Sequence, residues 1–179
     1  MIYVALLRGI NVGGKNKVDM KLLKESFVRI GMQTVVTYIN SGNVIFKDDL
    51  HTKSQIEDLI ENVILEDFAL VIKVLICKKD VFEQLIKILP ISWKNDDKMK
   101  CDVLFLWEII DSDTLLSELQ IRPEIDMVIY TPGVILWAVD RENVTKSGLM
   151  KLAGTKLYKH ITARNVNTTR KIYEIMKEL

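Results

Sequence analysis

The sequence predicts an α+β protein of two similar halves, each a ferredoxin-like β-α-β-β-α subdomain with an antiparallel sheet and helices packed on it. Three observations carry this. Over residues 1–77, short apolar runs and amphipathic stretches alternate in the order β-α-β-β-α-β. After a polar stretch the pattern restarts near residue 101. The hairpin Tyr-Ile-Asn-Ser-Gly-Asn-Val-Ile-Phe at 38–46 has a counterpart, Ile-Tyr-Thr-Pro-Gly-Val-Ile-Leu-Trp, at 129–137.

Residues 2–7 are apolar, rich in strand formers and too few for a helix, so they read as a buried strand. A Gly-rich loop follows. Asp19 then caps a helix with Met20, Leu23, Phe27 and Ile30 on one face, and Gly31 supplies its left-handed stop. Residues 35–39 and 44–46 are strands around the turn Asn40-Ser41-Gly42-Asn43. Ser54 and Glu57 read as a capping box for a helix bearing Ile56, Leu59, Ile60, Val63 and Ile64. Residues 70–77 return as a strand. Asp80 and Glu83 open a third helix that Pro90 ends, and residues 94–100 read as a linker. Residues 103–107 restart the pattern, Asp113 caps a helix through Leu115, Leu116 and Leu119, and strands at 127–130 and 134–139 flank Thr131-Pro132-Gly133. Ser147 and Gly154 bracket a short helix, and Asn167 caps a last one with Ile172, Ile175 and Met176 in its stripe. The expected division is 1–77, a helix and linker at 78–100, and 101–179.

Hydrophobic residues make up 49% of the chain and charged residues 27%, which supplies a core and excludes a disordered polar chain. No basic n-region with a cleavage site opens the sequence, and no apolar run reaches the roughly 18–20 residues that span a bilayer. The expectation is a cytoplasmic protein with no membrane partner. Cys77 and Cys101 lie far apart, outside any C-x-x-C pair, so neither a disulfide framework nor a thiolate metal site is expected. A net charge of +1 creates no global field for nucleic acid. Its distribution is uneven: residues 146–171 hold five Lys and two Arg with no acid, whereas residues 48–67 hold seven acids and one Lys. Such runs are either solvated helix faces or, at the C-terminal one, an anion-facing segment.

The densest chemistry follows the first strand. Residues 8–17, Arg-Gly-Ile-Asn-Val-Gly-Gly-Lys-Asn-Lys, place three Gly, three cations and two Asn in ten positions. Gly9, Gly14 and Lys15 match G-x-x-x-x-G-K of a phosphate-binding loop, but Asn16 stands where Ser or Thr must ligate Mg²⁺, which argues against a nucleoside triphosphatase. A looser nest of Arg8, Lys15 and Lys17 around glycine amides needs neither Mg²⁺ nor a helix start. The same residues also suit a solvated loop whose glycines only let it turn. Residues 2–7 look like the first motif of an RNA-recognition sheet, yet residues 41–46 lack the alternating aromatics of the second. His51 and His160 read as surface histidines, both cysteines as packing residues, and Trp93, Trp107 and Trp137 as core. No H-x-x-x-H or paired Cys signals a metal, and no cofactor is indicated.

Residues 5–16 (Ala-Leu-Leu-Arg-Gly-Ile-Asn-Val-Gly-Gly-Lys-Asn), 37–44 (Thr-Tyr-Ile-Asn-Ser-Gly-Asn-Val) and 162–165 (Thr-Ala-Arg-Asn) resemble a bacterial family catalogued as domain of unknown function 1697. The resemblance implies a two-subdomain α+β fold with ferredoxin-like halves and brings no activity. The matching positions are Arg8, Asn11, Gly13, Gly14, Lys15, Asn16, Tyr38, Ser41, Gly42, Asn43, Lys146, Ser147, Thr162, Arg164 and Asn165. Val166 departs from the pattern, where an aromatic residue is expected. With Lys17 added to these, the expected ligand is an anionic small molecule or nucleic-acid phosphate. If Arg8, Asn11 and Lys15 serve one site, they should converge on the hairpin at 38–43 or on the segment at 146–165, because an anion site needs several donors at one point. The alternative is a protein-interaction or scaffold module.

Overall fold

The helix that follows the first loop starts where the sequence places it. Asp19 is extended, and its side chain accepts hydrogen bonds from the Lys21 and Leu22 amides, supplying partners for otherwise orphaned donors. The computed structural model describes residues 1–179, which divide into two compact units, Met1–Phe82 with Ile172–Leu179, and Glu83–Lys171.

In the first unit, strands β1 (Ile2–Leu7), β2 (Gln33–Tyr38), β3 (Asn43–Lys47) and β4 (Val74–Lys78) form an antiparallel sheet in the order β2-β3-β1-β4. This is the ferredoxin-like arrangement. Helices α1 (Met20–Arg29) and α2 (Lys53–Phe68) supply Leu23, Phe27, Ile56, Ile60 and Val63 to a core shared with Tyr3, Ala5, Leu7, Val44, Phe46, Val74 and Ile76. These strand residues alternate along their strands, as a period of two requires. Tyr3 stacks on its cross-strand partner Phe46 at 5.8 Å, and Phe27 meets Phe46 edge-on at 5.6 Å. Burying each such ring contributes about 1.5–3 kcal/mol.

Two details correct the expectation here. The capping box of α2 is Thr52 with Gln55, not Ser54 with Glu57. Asp48 accepts from the Leu50 and His51 amides, so its turn ends immediately before Thr52, while Glu57 faces the Ile76 amide on β4. β4 begins at Val74 rather than at residue 70, because its ladder partner β1 ends at Leu7.

The second unit repeats the sheet with β5 (Met99–Leu106), β6 (Asp126–Thr131), β7 (Val134–Asp140) and β8 (Ile161–Asn165), in the order β6-β7-β5-β8. β8 is a fourth strand that the basic character of residues 146–171 conceals, so the second half also ends its sheet with a strand. β5 begins before the expected residue 103: Asp96 accepts from the Lys98 and Met99 amides and turns the supposed linker directly into the sheet. The helices that lie wholly within this unit are short. α3 (Lys79–Ile88) crosses the division between the units, α4 (Leu115–Glu118) and α5 (Leu149–Leu152) are single turns, and 3-10 turns complete the connections. Asp113 does not cap α4, whose preceding Thr114 is already helical. The last helix, α6 (Val166–Glu178), is capped by Asn165, which accepts from the Thr168 amide at 2.9 Å. Asn167 instead exchanges two hydrogen bonds with the Asn95 backbone. α6 crosses the division at Ile172.

Candidate functional site

The first loop is held in shape by left-handed backbone. Gly9, Asn11, Gly13, Gly14 and Asn16 all have φ between 47° and 76°. The Asn11 amide donates to the Asn16 carbonyl at 3.0 Å and the Lys15 amide to the Val12 carbonyl at 3.1 Å, closing a miniature hairpin over Gly13-Gly14. Positive φ at both central residues is what a type I′ turn demands, and glycine meets it without strain. This geometry differs from that of a nucleotide-binding P-loop, which runs directly into a helix; here α1 starts only at Met20.

Asn11 fastens the loop. Its Nδ2 donates to the Val18 carbonyl at 3.0 Å and to the Asn40 carbonyl at 2.9 Å, and its Oδ1 accepts from the Val18 amide at 2.9 Å. Both N–H groups are therefore committed and the oxygen is engaged, with one bond reaching the β2-β3 hairpin. Asn16 adds a bond from Nδ2 to the Gly9 carbonyl at 2.9 Å. Beneath them Ile10 is fully buried against Gly42 of the hairpin. In that hairpin the buried Asn43 donates through Nδ2 to the Tyr38 carbonyl and to the Ser41 hydroxyl. Ile39 has φ of 49°, uncommon for a β-branched side chain, and remains exposed.

Between loop and hairpin lies a cleft of about 510 Å³ with Asn11, Gly14 and Lys17 on one side, the start of α1 with Asp19 on another, and Asn40 from the hairpin. Lys15 and Lys17 are exposed, and neither forms an ion pair. Arg8 is half-buried at the end of β1, and its amide donates to the Lys73 carbonyl. The structure thus brings Asn11, Gly14 and Lys17 together, and leaves Arg8, Lys15, Tyr38, Ser41 and Asn43 off the lining of this cleft. Gly13 forms the turn beside it. Sequence reasoning missed Asn40, Asp19 and Ile10 as parts of the same construction. The signal for Asn40 is its place in the Asn-Ser-Gly-Asn turn, where turn chemistry alone already accounts for it.

The C-terminal residues stand in the second unit, with duties of their own. Ser147 is buried and donates its hydroxyl to Asp126, which also accepts from Trp137 Nε1, the Gly148 amide and the Arg122 amide. Burial pushes the Asp126 carboxyl up, but these donors together outweigh it and hold the group below its ordinary value. Arg164 is buried and donates to the Thr162 hydroxyl and the Ala163 carbonyl. Asn165 is the α6 cap described above, and Lys146 is exposed at the end of a 3-10 turn. Arg170 donates to the Trp93 and Pro90 carbonyls, so both arginines of the basic run have structural roles.

The remaining candidates have local explanations. His51 Nδ1 lies 2.9 Å from Asp48 Oδ2. Cys77 and Cys101 are buried, and burial pushes the Cys101 thiol up to about 11, away from nucleophilic use. Tyr3 and Phe46, the aromatic residues of β1 and β3, lie in the core under the helices and so cannot form the solvent-facing platform on which RNA-recognition sheets stack bases. Trp137 is fully buried, Trp93 nearly so and Trp107 half-buried. No group of three or more His, Cys, Asp or Glu could hold a metal ion, and no helix is long and apolar enough to cross a membrane.

The family model described as Protein of unknown function (DUF1697) matches residues 1–137, which include the first loop and both hairpins. The C-terminal motif positions at 146–165 lie beyond the matched stretch. No curated protein matches. Among solved structures, the conserved bacterial protein SP0830 from Streptococcus pneumoniae is similar at 30% identity over 98% of each chain, with a TM-score of 0.82. The loop, the hairpin it is fastened to and the sheet beneath them all fall within the matched residues, and the chain belongs to the family of proteins of unknown function DUF1697.

Proposed function

We propose that this protein binds an anionic ligand, a phosphorylated small molecule in particular, in the cleft between the Gly-rich first loop and the β2-β3 hairpin. The observation that carries this is the fastening of the loop by Asn11, whose side-chain N–H groups and oxygen make three hydrogen bonds to Val18 and Asn40. A loop fixed in this way loses little conformational entropy when a ligand arrives, which raises affinity. It presents Lys17 in the cleft, and exposed Lys15 directly follows the lining residue Gly14 in sequence, neither neutralised by an acid. At about 510 Å³ the cleft has the size of ordinary small-molecule sites. Asp19 on the same lining favours a ligand that also offers hydrogen-bond donors, such as sugar hydroxyls, over a bare polyanion. The net charge of +1 and the burial of the β1 and β3 aromatics, Tyr3 and Phe46, weigh against nucleic acid.

A second reading, a protein-interaction module, draws on Val12 and Ile39, which are 63% and 48% exposed near the tips of loop and hairpin. A thermal-shift panel of nucleotides, phosphosugars and short oligonucleotides separates the two. A ligand at 100 times its dissociation constant adds about 2.7 kcal/mol of stability. Stabilisation by phosphorylated compounds, removed by Lys15→Ala/Lys17→Ala, supports the anion site; silence across the panel supports the interaction module.

A further inference from the structure

The second unit copies the sheet of the first but not its helical cover. In the first unit the connection from β3 to β4 is the 16-residue helix α2, with Ile56, Ile60, Val63 and Ile64 buried. The corresponding connection from β7 to β8 contains only the single turn α5 between two 3-10 turns. Part of the sheet is left open as a result. Ala163 is exposed in the middle of β8, while its neighbours Thr162 and Arg164 are buried. Over it lies a cleft of about 410 Å³.

The floor of this cleft comes from paired strands, Asp102 opposite Asn165 and Leu104 opposite Ala163, with Lys100 on the same face. Leu149, Met150 and Leu152 of α5 and Tyr158 of the following turn form an apolar and aromatic wall. At the polar end, Lys100 Nζ lies 2.6 Å from Asp102 Oδ2, with side chains 27% and 14% exposed. The pair is partly withdrawn from bulk water, which strengthens charge-assisted bonds made there. Asp102 accepts a hydrogen bond from one of the three ammonium N–H groups, which leaves two. Asn165 commits its side-chain oxygen to the Thr168 amide, and Asn95 commits its own to Arg141 Nη2 and the Cys101 amide. Both therefore offer NH₂ groups, and with the remaining Lys100 N–H groups these donors outnumber the one carboxylate of the lining, Asp102.

We infer that this cleft is a second binding site, independent of the first-loop site, for a small monocarboxylate with an apolar or aromatic body. The carboxylate meets Lys100 and the amides of Asn95 and Asn165, and the body lies on Leu104 and Ala163 under Met150 and Tyr158. Thioether and aromatic walls adapt to such a body.

The test is an NMR titration of the full chain with 4-phenylbutyrate and with its uncharged partner 4-phenylbutan-1-ol. The inference predicts saturable shifts from 4-phenylbutyrate at the Ala163 amide and the Asn95 and Asn165 side-chain NH₂ signals, and binding of the alcohol weaker by about tenfold or more. Ala163→Leu, placed at an exposed position, fills the cleft and abolishes the shifts. Lys100→Gln/Asp102→Asn, which neutralises the pair together, removes the preference for the carboxylate. Equal binding of acid and alcohol overturns the inference, as do shifts that survive Ala163→Leu or the absence of shifts from the acid. The acid and alcohol comparison uses the unaltered protein, so it decides even if a variant fails to fold.

Discussion

Ile10 packs on Gly42 so tightly that a Cβ at Gly42 would lie 2.8 Å from Ile10 Cδ1 and 2.7 Å from Leu7 Cβ. The first loop is thereby seated on the hairpin by an absent side chain. Gly42 also has φ of 74°, and its counterpart Gly133 in the second hairpin has φ of 84°, but a Cβ at Gly133 would meet nothing within 4 Å. Gly42→Ala should therefore destabilise by about 3 kcal/mol, from strain and overpacking, and Gly133→Ala by about 1 kcal/mol, from strain alone. Urea denaturation of the two variants measures this, and equal losses would refute the seating.

The reach of the sequence follows the physics of each element. Asp19, Gly31 and the Leu23-Phe27 stripe act locally, so the sequence reveals α1 completely. β8 is hidden because residues 161–165, Ile-Thr-Ala-Arg-Asn, lack an apolar face of period two, and the strand is defined by its partner β5. Thr52 and Ser54 both offer a cap three residues before a Gln or Glu, and only the turn at Asp48 decides between them. The glycine-rich loop is visible at once, but not its fastening. Asn11 reaches Asn40 across 29 positions of sequence, and no periodicity encodes that bond.

Asn11→Ala removes three hydrogen bonds and should cost about 2–3 kcal/mol. Its local effect separates fastening from general stability. The Val18 amide, whose acceptor is lost, should exchange with solvent much faster, while the amides of β1 keep most of their protection. A uniform loss of protection across the unit would contradict the local role.

Two buried carboxylates help to set an acid limit on stability. At Asp48, as at Asp126, burial raises the carboxyl, but hydrogen bonds outweigh it and leave the group below its ordinary value of 3.8. At Asp48 the donors are the His51 ring and the His51 and Leu50 amides. A depressed folded-state pKa gives stability that is present above the ordinary value and is lost as pH falls through the depressed one. Resistance to urea should therefore fall steeply below about pH 4. Asp126→Asn should be less stable at pH 7 by about 3 kcal/mol, and its stability should change less between pH 5 and pH 3. A variant with the same acid slope as the parent would remove Asp126 from this account.

The anion site is tested most directly by following backbone amides during titration with a nucleoside monophosphate, a sugar phosphate and the matching unphosphorylated compounds. The account predicts saturable shifts at Gly14, Lys17 and Asn40 from a phosphorylated compound, none from its unphosphorylated partner, and affinity reduced about tenfold or more in Lys15→Ala/Lys17→Ala. No saturable shift at these amides from either phosphate, or shifts of equal size in the double variant, would contradict it.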